Sequence, residues 1–432
     1  MGETRVQPIR PPGHADDTPV LPGAWRLLGL LFFVYMFSAV DRMVIGLIVE
    51  PVKATFKVSD ASIGLLSGFA YSAPFALASL PMGLLVDRTN RVKLLAAVVA
   101  VWSVMTAVCA MASSFTALLL ARMAVGASEA GAIPASLSLL SDTFPPKKRG
   151  AAVGIFYSSA SLAQVIVFLG GALILTQYSW HAVFLIAGLP GVIIAALLFF
   201  TSKEPPRGRF DGPATAVAEK PKLLDTLRLV AVDGPIRCTV LANMIATGVG
   251  GAVGFWAVSF FVRAHNLPSH QAATVVGLCL GLVGFLGALA TGPLVDRVAK
   301  GDPSRISYFP AAAATGAALA GLAMANAPTL PLVIAAYACM CFLFGGFLGP
   351  GNLLLLSITP AAVRGSVVSV NKLVSILIGS GVFSFMAGKV SDVVGGRDGI
   401  RIGLMTTFMF FFVAGFLFFL AGHSIRRRNP TT

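Results

Sequence analysis

The stretch Gly83-Leu-Leu-Val-Asp-Arg-Thr-Asn-Arg-Val-Lys93 is a short charged hinge set between two long apolar segments. A weaker copy, Gly292-Pro-Leu-Val-Asp-Arg297, stands 209 residues later, again between apolar segments. A second pair of markers runs in parallel: Arg149-Gly150 follows Pro145-Pro146, and Arg364-Gly365 follows Pro360, at a separation of 215. Two markers recurring in the same order at nearly the same offset imply an internal duplication. In a membrane chain, duplicated halves point first to a transporter.

Composition agrees with a membrane chain. Hydrophobic residues make up 56% of the sequence and charged residues 12%, about half the share usual in soluble proteins. Segment after segment exceeds the roughly 18 to 20 apolar residues that cross hydrocarbon. The net charge of +14 could suggest nucleic acid, but its distribution excludes that reading. With twelve spans and a cytoplasmic N-terminus, 23 of the 32 Lys and Arg fall on the cytoplasmic side, 6 on the opposite side and 3 within spans. This is the positive-inside asymmetry, and it predicts both termini in the cytoplasm. The same basic excess favours anionic lipid headgroups at that face. Cys109, Cys238, Cys279, Cys339 and Cys341 all lie in apolar stretches without ligand spacing, so neither a disulfide framework nor a metal site is expected.

Residues 1–24 carry five prolines and scattered charge, which predicts a disordered cytoplasmic tail. Six spans are expected over 25–201, beginning at the interfacial anchor Trp25-Arg26. Residues 202–234 change composition and form a cytoplasmic linker, in which Leu223 to Val232 has the periodicity of a short amphipathic surface helix. Six more spans are expected over 235–422, and Arg426-Arg427-Arg428 anchors a basic tail at 423–432.

Two related sets of six spans, a central loop and the Gly-x-Leu-x-Asp-Arg hinge resemble the major facilitator superfamily, from about Trp25 to Gly422. The resemblance implies an all-α membrane protein with the major facilitator fold: twelve transmembrane helices in two pseudo-symmetric six-helix bundles. Two patches are similar to the spinster-like branch, which transports sphingolipids and lysolipids. One is Asp41-Arg42 followed by Phe56-Lys-Val-Ser-Asp60 and Gly64-Leu-Leu66; the other is Arg122-Met-Ala-Val-Gly126-Ala-Ser-Glu129-Ala130.

Ionisable groups inside a span are costly and normally face protein or a wet cavity. Asp41 and Arg42 in the first span, Arg122 and Glu129 in the fourth, and Lys372 in the eleventh are the candidates. Arg122 and Glu129 return to nearly one helix face about 10 Å apart, and Gly126 between them leaves room for a neighbouring side chain. By helical rise Asp41 lies about 12 to 13 Å from the outer end of its span, between Arg122 at about 10 Å and Glu129 at about 21 Å. A four-charge network is therefore expected, although Asp41 and Arg42 diverge by about 100° and cannot point the same way. These four residues are candidates for proton coupling and substrate binding; the plainer reading is a static ion-pair cluster that ties helices together. Lys372 stands near enough to the cytoplasmic end to snorkel instead.

In the hinge, Gly83 would allow close approach of a neighbouring helix, and Asp87 ends a helix where it can face another helix's positive N-terminus. Arg88, Arg91 and Lys93 also satisfy the positive-inside rule without further role. The superfamily usually carries Gly at the position of Asn90, and Asn tolerates a left-handed backbone. The resemblance implies that Gly83, Asp87, Arg88 and Arg91 form a gating motif, with Asp87 in a latch on the eleventh span. Tyr157, Gln164, Asn243, Asn352 and Asn371 are secondary cavity candidates, with interhelical hydrogen bonding as the plainer role.

The expected function is secondary active transport across the inner membrane, by alternating access between the halves. No nucleotide-binding GxxxxGK[ST] motif and no nucleophile–base pairing appear, so neither an ATP-driven pump nor an enzyme is expected, and no cofactor. Charges amid apolar walls suit a substrate with a polar head and an apolar body. The spinster resemblance implies a lysophospholipid or sphingolipid, with protons and membrane lipids as partners, and a monomer is expected. The alternative is a proton-coupled symporter of small organic anions, in which Arg42 and Arg122 grip a carboxylate.

Overall fold

Hydrocarbon offers the backbone no hydrogen-bond partner, so each apolar run must satisfy its own amides by coiling into a helix. The computed structural model describes residues 20–210, 223–299, 302–360 and 363–428. Most of the expected 1–24 tail, the middle of the linker, the side chain of Asp296 in the second hinge and the last four residues lie outside the described residues. Among the described residues, twelve helices are long and apolar enough to span a membrane. They are α1 (Ala24–Leu47), α2 (Asp60–Arg88), α3 (Arg91–Cys109), α4 (Phe115–Thr143), α5 (Pro146–Gln177) and α6 (Trp180–Thr201), then α7 (Gly234–His265), α8 (Ser269–Val295), α9 (Pro303–Asn326), α10 (Leu330–Ile358), α11 (Arg364–Val394) and α12 (Asp398–Arg428).

Short capped turns reverse the chain. Ser59 and Ser114 accept from the amides of Ser62 and Ala117 at the starts of α2 and α4. Asp233 accepts from Ile236 N at the start of α7, with Pro235 in its first turn, as helix N-termini favour. Asn90 departs from the expected left-handed turn. Its backbone is extended (φ −65°, ψ 113°) and its Oδ1 accepts from Lys93 N at 2.9 Å. Asn serves here as the cap of α3, a role that Gly fills without a side chain.

The helices sort into two bundles of six. In the first, α2 packs on α4, α3 on α6 and α1 on α5; in the second, α9 packs on α10 and α12, and α7 on α12. A Cβ at Gly126 would overlap the Tyr71 carbonyl, so α2 and α4 pack backbone to backbone there. The bundles meet mainly at the end opposite the termini, called here the far side. There the first turns of α2 (Asp60–Ser67) lie along the last turns of α11 (Gly381–Val394). Cβ atoms at Gly64 and Gly388 would collide with the backbones of Ser384 and Asp60 across this seam.

The other end of α2 is different. The expected close approach at Gly83 is not formed, since a Cβ there meets nothing within 4 Å, and Gly292 of the second hinge is equally open. Leu77, Leu80, Leu84 and Leu85 along this end of α2 are exposed. The two bundles therefore touch on the far side and part toward the side of the termini.

The linker ties itself to the first bundle. Arg207 donates to the carbonyls of Val86, Asp87 and Thr89 at 2.6–2.8 Å, satisfying the free end of α2. Arg91 is more than a topological charge. It is 1% exposed, pairs with Asp142 and with Glu204 (2.6 Å), and donates to Ser138 Oγ (2.8 Å) and the Pro205 carbonyl (2.9 Å). After the undescribed stretch, the linker helix Leu223–Val232 sets Leu229 and Val230 against Ile236, Val240, Leu355 and Val367 beneath the second bundle.

Arg91→Ala removes one partner of a buried ion cluster, which costs about 3–5 kcal/mol. It should lower thermal stability in detergent markedly, whereas Arg88→Ala, on an exposed residue, should change it little. Equal melting temperatures for the two variants would contradict this assignment.

Candidate functional site: a charged wall on a central cavity

The polar side chains of α1 leave the helix in two directions, as the turn between Asp41 and Arg42 requires. Asp41 points into the first bundle and is 2% exposed. Thr106 of α3 donates to its Oδ1 at 2.8 Å, and Arg122 Nη1 of α4 lies 3.2 Å from the same oxygen. That Arg122 contact has ion-pair distance without hydrogen-bond alignment, and Asp41 Oδ2 receives no donor among the described residues.

Arg42 points the other way, toward the space between the bundles. Its Nη1 donates to Glu129 Oε2 at 2.8 Å and to Ser38 Oγ at 2.6 Å. Glu129 Oε2 also accepts from Tyr71 Oη at 2.6 Å and Ser38 Oγ at 3.1 Å, while its Oε1 has no donor among the described residues. Glu129 is buried, yet the Arg42 side chain remains 30% exposed. The expected four-charge network is thus two pairs, Asp41–Arg122 and Arg42–Glu129. Tyr71 stands between them: its hydroxyl bonds Glu129, and Arg122 lies 5.9 Å from its ring centroid in cation–π range.

Tyr71, Ser38 and Thr106 are the site residues that sequence reasoning does not single out. Ser38 precedes Arg42 by one helical turn, a legible i, i+4 spacing. Tyr71 and Thr106 carry no local signal, because their partners come from other helices.

Arg42, Arg122, Tyr71 and Lys372 line a central cavity of about 450 Å³ with Phe75, Phe168, Phe255, Leu280 and Phe344. Each of α5, α8 and α11 contains a π-helical turn, over Ile166–Gly170, Leu278–Val283 and Ser375–Ser380. All three turns contribute to this wall, through Phe168, Leu280 and Ile376; such turns recur at functional sites. A cleft of about 440 Å³ shares Gln164, Leu280 and Phe344 with the cavity and descends to Gly292, Val295 and Leu353 toward the termini.

Of the secondary candidates, Lys372 and Gln164 line the cavity; Tyr157, Asn243 and Asn352 do not. Tyr157 packs edge-on against Tyr35 and Phe156. Asn243 is buried between α7 and α10, with Nδ2 3.4 Å from the Gly351 carbonyl, and Asn352 is exposed along α10. Asn371 is buried one residue before Lys372, on a face turned by about 100°.

The far side is closed by charges from both bundles. Asp60, at the start of α2, accepts from Arg263 of α7 at 2.6 and 3.0 Å, from Lys53 at 2.6 Å and from Ser391 of α11 at 2.7 Å. Glu50 holds Arg263 at 2.8 Å, and the Asp392 carboxylate receives the amides of Asp60 and Ala61 at 2.8 Å. Asp60 and Arg263 are 203 residues apart, so no local pattern reveals the pairing.

Comparison with known proteins accords with this architecture. A family model described as the Major Facilitator Superfamily matches residues 31–377. The chain is 26% identical over 284 residues to an "MFS-type efflux pump" of Mycolicibacterium smegmatis, covering 65% of this chain but 64% of that protein. It is 22% identical over 382 residues to the sphingosine-1-phosphate transporter SPNS2 of Danio rerio, covering 84% of this chain and 75% of the relative. The fold is similar, with TM-score 0.85 and 25% identity, to the crystal structure of a bacterial homolog of the human lysosomal transporter spinster in an inward-facing, unoccupied conformation. That likeness covers 95% of this chain and 99% of the other. With a family model matched across most of its length and twelve helices in two bundles around a charged cavity, the chain belongs to the Major Facilitator Superfamily.

Proposed function

We propose that the protein is a proton-coupled secondary active transporter of an amphipathic, lipid-like substrate of the lysophospholipid or sphingolipid class, working by alternating access in the inner membrane. The Arg42–Glu129 pair on the cavity wall carries this reading. A buried acid that shares its cation with an open cavity can exchange that cation for a substrate. With Glu129 ionised, Arg42 is held by Oε2. A proton on Glu129 frees the guanidinium for a headgroup, and a headgroup on Arg42 leaves Glu129 to take the proton. Arg122 on the wall and Asp41 behind it repeat the arrangement, and each carboxyl keeps one oxygen without a donor among the described residues. Burial favours the neutral form of an acid and a facing cation its ionised form, so a cation that changes partner can move a proton.

The positive-inside asymmetry supports a cytoplasmic location for both termini and for the linker. On that orientation the cavity opens inward and the closed far side faces outward. The aromatic and aliphatic walls favour an apolar substrate body, and the name of the SPNS2 relative agrees with a lipid. The cations on the wall equally favour the second reading, symport of a small organic anion.

In proteoliposomes, addition of an anionic lysophospholipid or a phosphorylated sphingoid base should evoke proton flux that is lost in Asp41→Asn and Glu129→Gln. Flux evoked only by a small organic acid would establish the second reading, and unchanged flux in both variants would make the charges structural.

Closing and opening should depend on the two ends separately. Asp60→Asn weakens the far-side cluster by roughly 3 kcal/mol and should raise the population with an open far side, read as lengthened spin-label distances across that side. Gly64→Val should do the same by steric exclusion. Gly83→Val meets no neighbour in the present state, so the protein should fold and keep its far side closed, while transport stalls because the termini side cannot close. Normal transport by Gly83→Val would remove the hinge from the mechanism.

A further inference from the structure

The cations of the first bundle each face an acid: Arg42 bonds Glu129 and Arg122 faces Asp41. The second bundle supplies one cation to the same cavity, Lys372 of α11, and it is arranged differently. Among the described residues no carboxylate pairs with it, and it shares the cavity wall with the like charge of Arg42. Lys372 is exposed to the cavity and leads directly into the π-helical turn Ser375–Ser380, which also lines the wall. Snorkelling therefore does not describe it, because the side chain faces the space between the bundles.

The wall as a whole is one-sided. Among the described residues Arg42, Arg122 and Lys372 line it, and no Asp or Glu does. Asp41 and Glu129 lie behind the arginines, each 2% exposed. Facing like charges across a cavity repel, and an anion between them converts that repulsion into two charge-assisted hydrogen bonds. A zwitterionic head would bring an ammonium for which the wall offers no carboxylate.

From this arrangement we propose that Lys372 is the headgroup ligand contributed by the second bundle, and that it selects a substrate with a net anionic head, a phosphate monoester or carboxylate, held between Lys372 and Arg42. The proposal rests on the transport reading above and narrows it. An anion so placed touches both bundles, so its binding is sensitive to the distance between them, as a substrate that drives alternating access must be. Carboxylate or phosphate could arrive on a lipid or on a small organic molecule; the site chemistry is the same, and the apolar body distinguishes them.

The test is equilibrium binding to the full-length protein in nanodiscs, for wild type, Lys372→Gln and Lys372→Arg. The probes are hexadecyl phosphate, palmitate, hexadecylphosphocholine, neutral hexadecylglycerol and the chainless anions phenyl phosphate and benzoate. Wild type should bind hexadecyl phosphate roughly 10- to 100-fold more tightly than hexadecylglycerol, the range for a charge-assisted hydrogen bond, with hexadecylphosphocholine nearer the neutral probe. Lys372→Gln should abolish that preference while holding hexadecylglycerol within about twofold, which also shows that the variant is folded, and Lys372→Arg should retain the preference. Wild-type binding blind to charge, or a Lys372→Gln variant that weakens all probes equally or none, would overturn the assignment. Lys372-dependent binding of the chainless anions without any binding of the sixteen-carbon probes would uphold the anion site and discard the lipid-like substrate.

Discussion

Arg42 is the point on which the structure turns. An ionised side chain in a membrane span is tolerated where it faces a partner or a wet cavity, and Arg42 does both: Glu129, Ser38 and Tyr71 meet it from three helices of one bundle, and it lines the cavity. Yet it is also the most exposed member of the cluster. A fully enclosed pair would be a staple, and a fully exposed one would be weak. Arg42 lies between these limits, fixed on one side by Glu129 and open on the other to the cavity. The second pair, Asp41–Arg122, lies deeper and supports the first through Tyr71, whose ring faces Arg122 and whose hydroxyl bonds Glu129.

Around this wall the bundles are held asymmetrically. On the far side, glycines at positions 64 and 388 bring backbones together, and Asp60 gathers donors from both bundles. At the other end the hinge glycines face open space, although they recur in both halves of the sequence. The same small residue thus serves two purposes. At Gly64 it permits a contact that exists, and at Gly83 the proposed cycle gives it a contact to form later. Such a seam must remain breakable. Its polar contacts are numerous, and Arg263 and Glu50 are only partly buried, which limits how strongly the closed state is favoured.

Much of this was legible from residues alone. Hydropathy and the duplicated hinge specify twelve helices in two sets, because each span must satisfy its own backbone and the period of burial is local. The intramembrane charges also stand out, since their cost makes them rare. The divergence of Asp41 and Arg42 follows from helix geometry, but which acid each cation meets does not, so a single four-charge network is expected from sequence where the structure has two pairs. At Asn90 a tolerance for left-handed backbone is only one of the roles open to Asn at a helix start; capping is another, and the amide of Lys93 decides for the cap.

Transfer free energies and helical rise settle, from the residues alone, which segments enter the membrane, how many there are, and which charges must face protein or a wet cavity there. Tertiary structure alone decided who the partners are. Tyr71 and Thr106 join the site from neighbouring helices, Asp60 finds Arg263 across 203 residues, and Lys372 meets the cavity with no carboxylate among the described residues to pair with it. Tertiary structure also decided which end is closed. A glycine reads the same whether it faces a neighbour or a gap, because the distinction lies in the separation of two bundles and in no property of the residue.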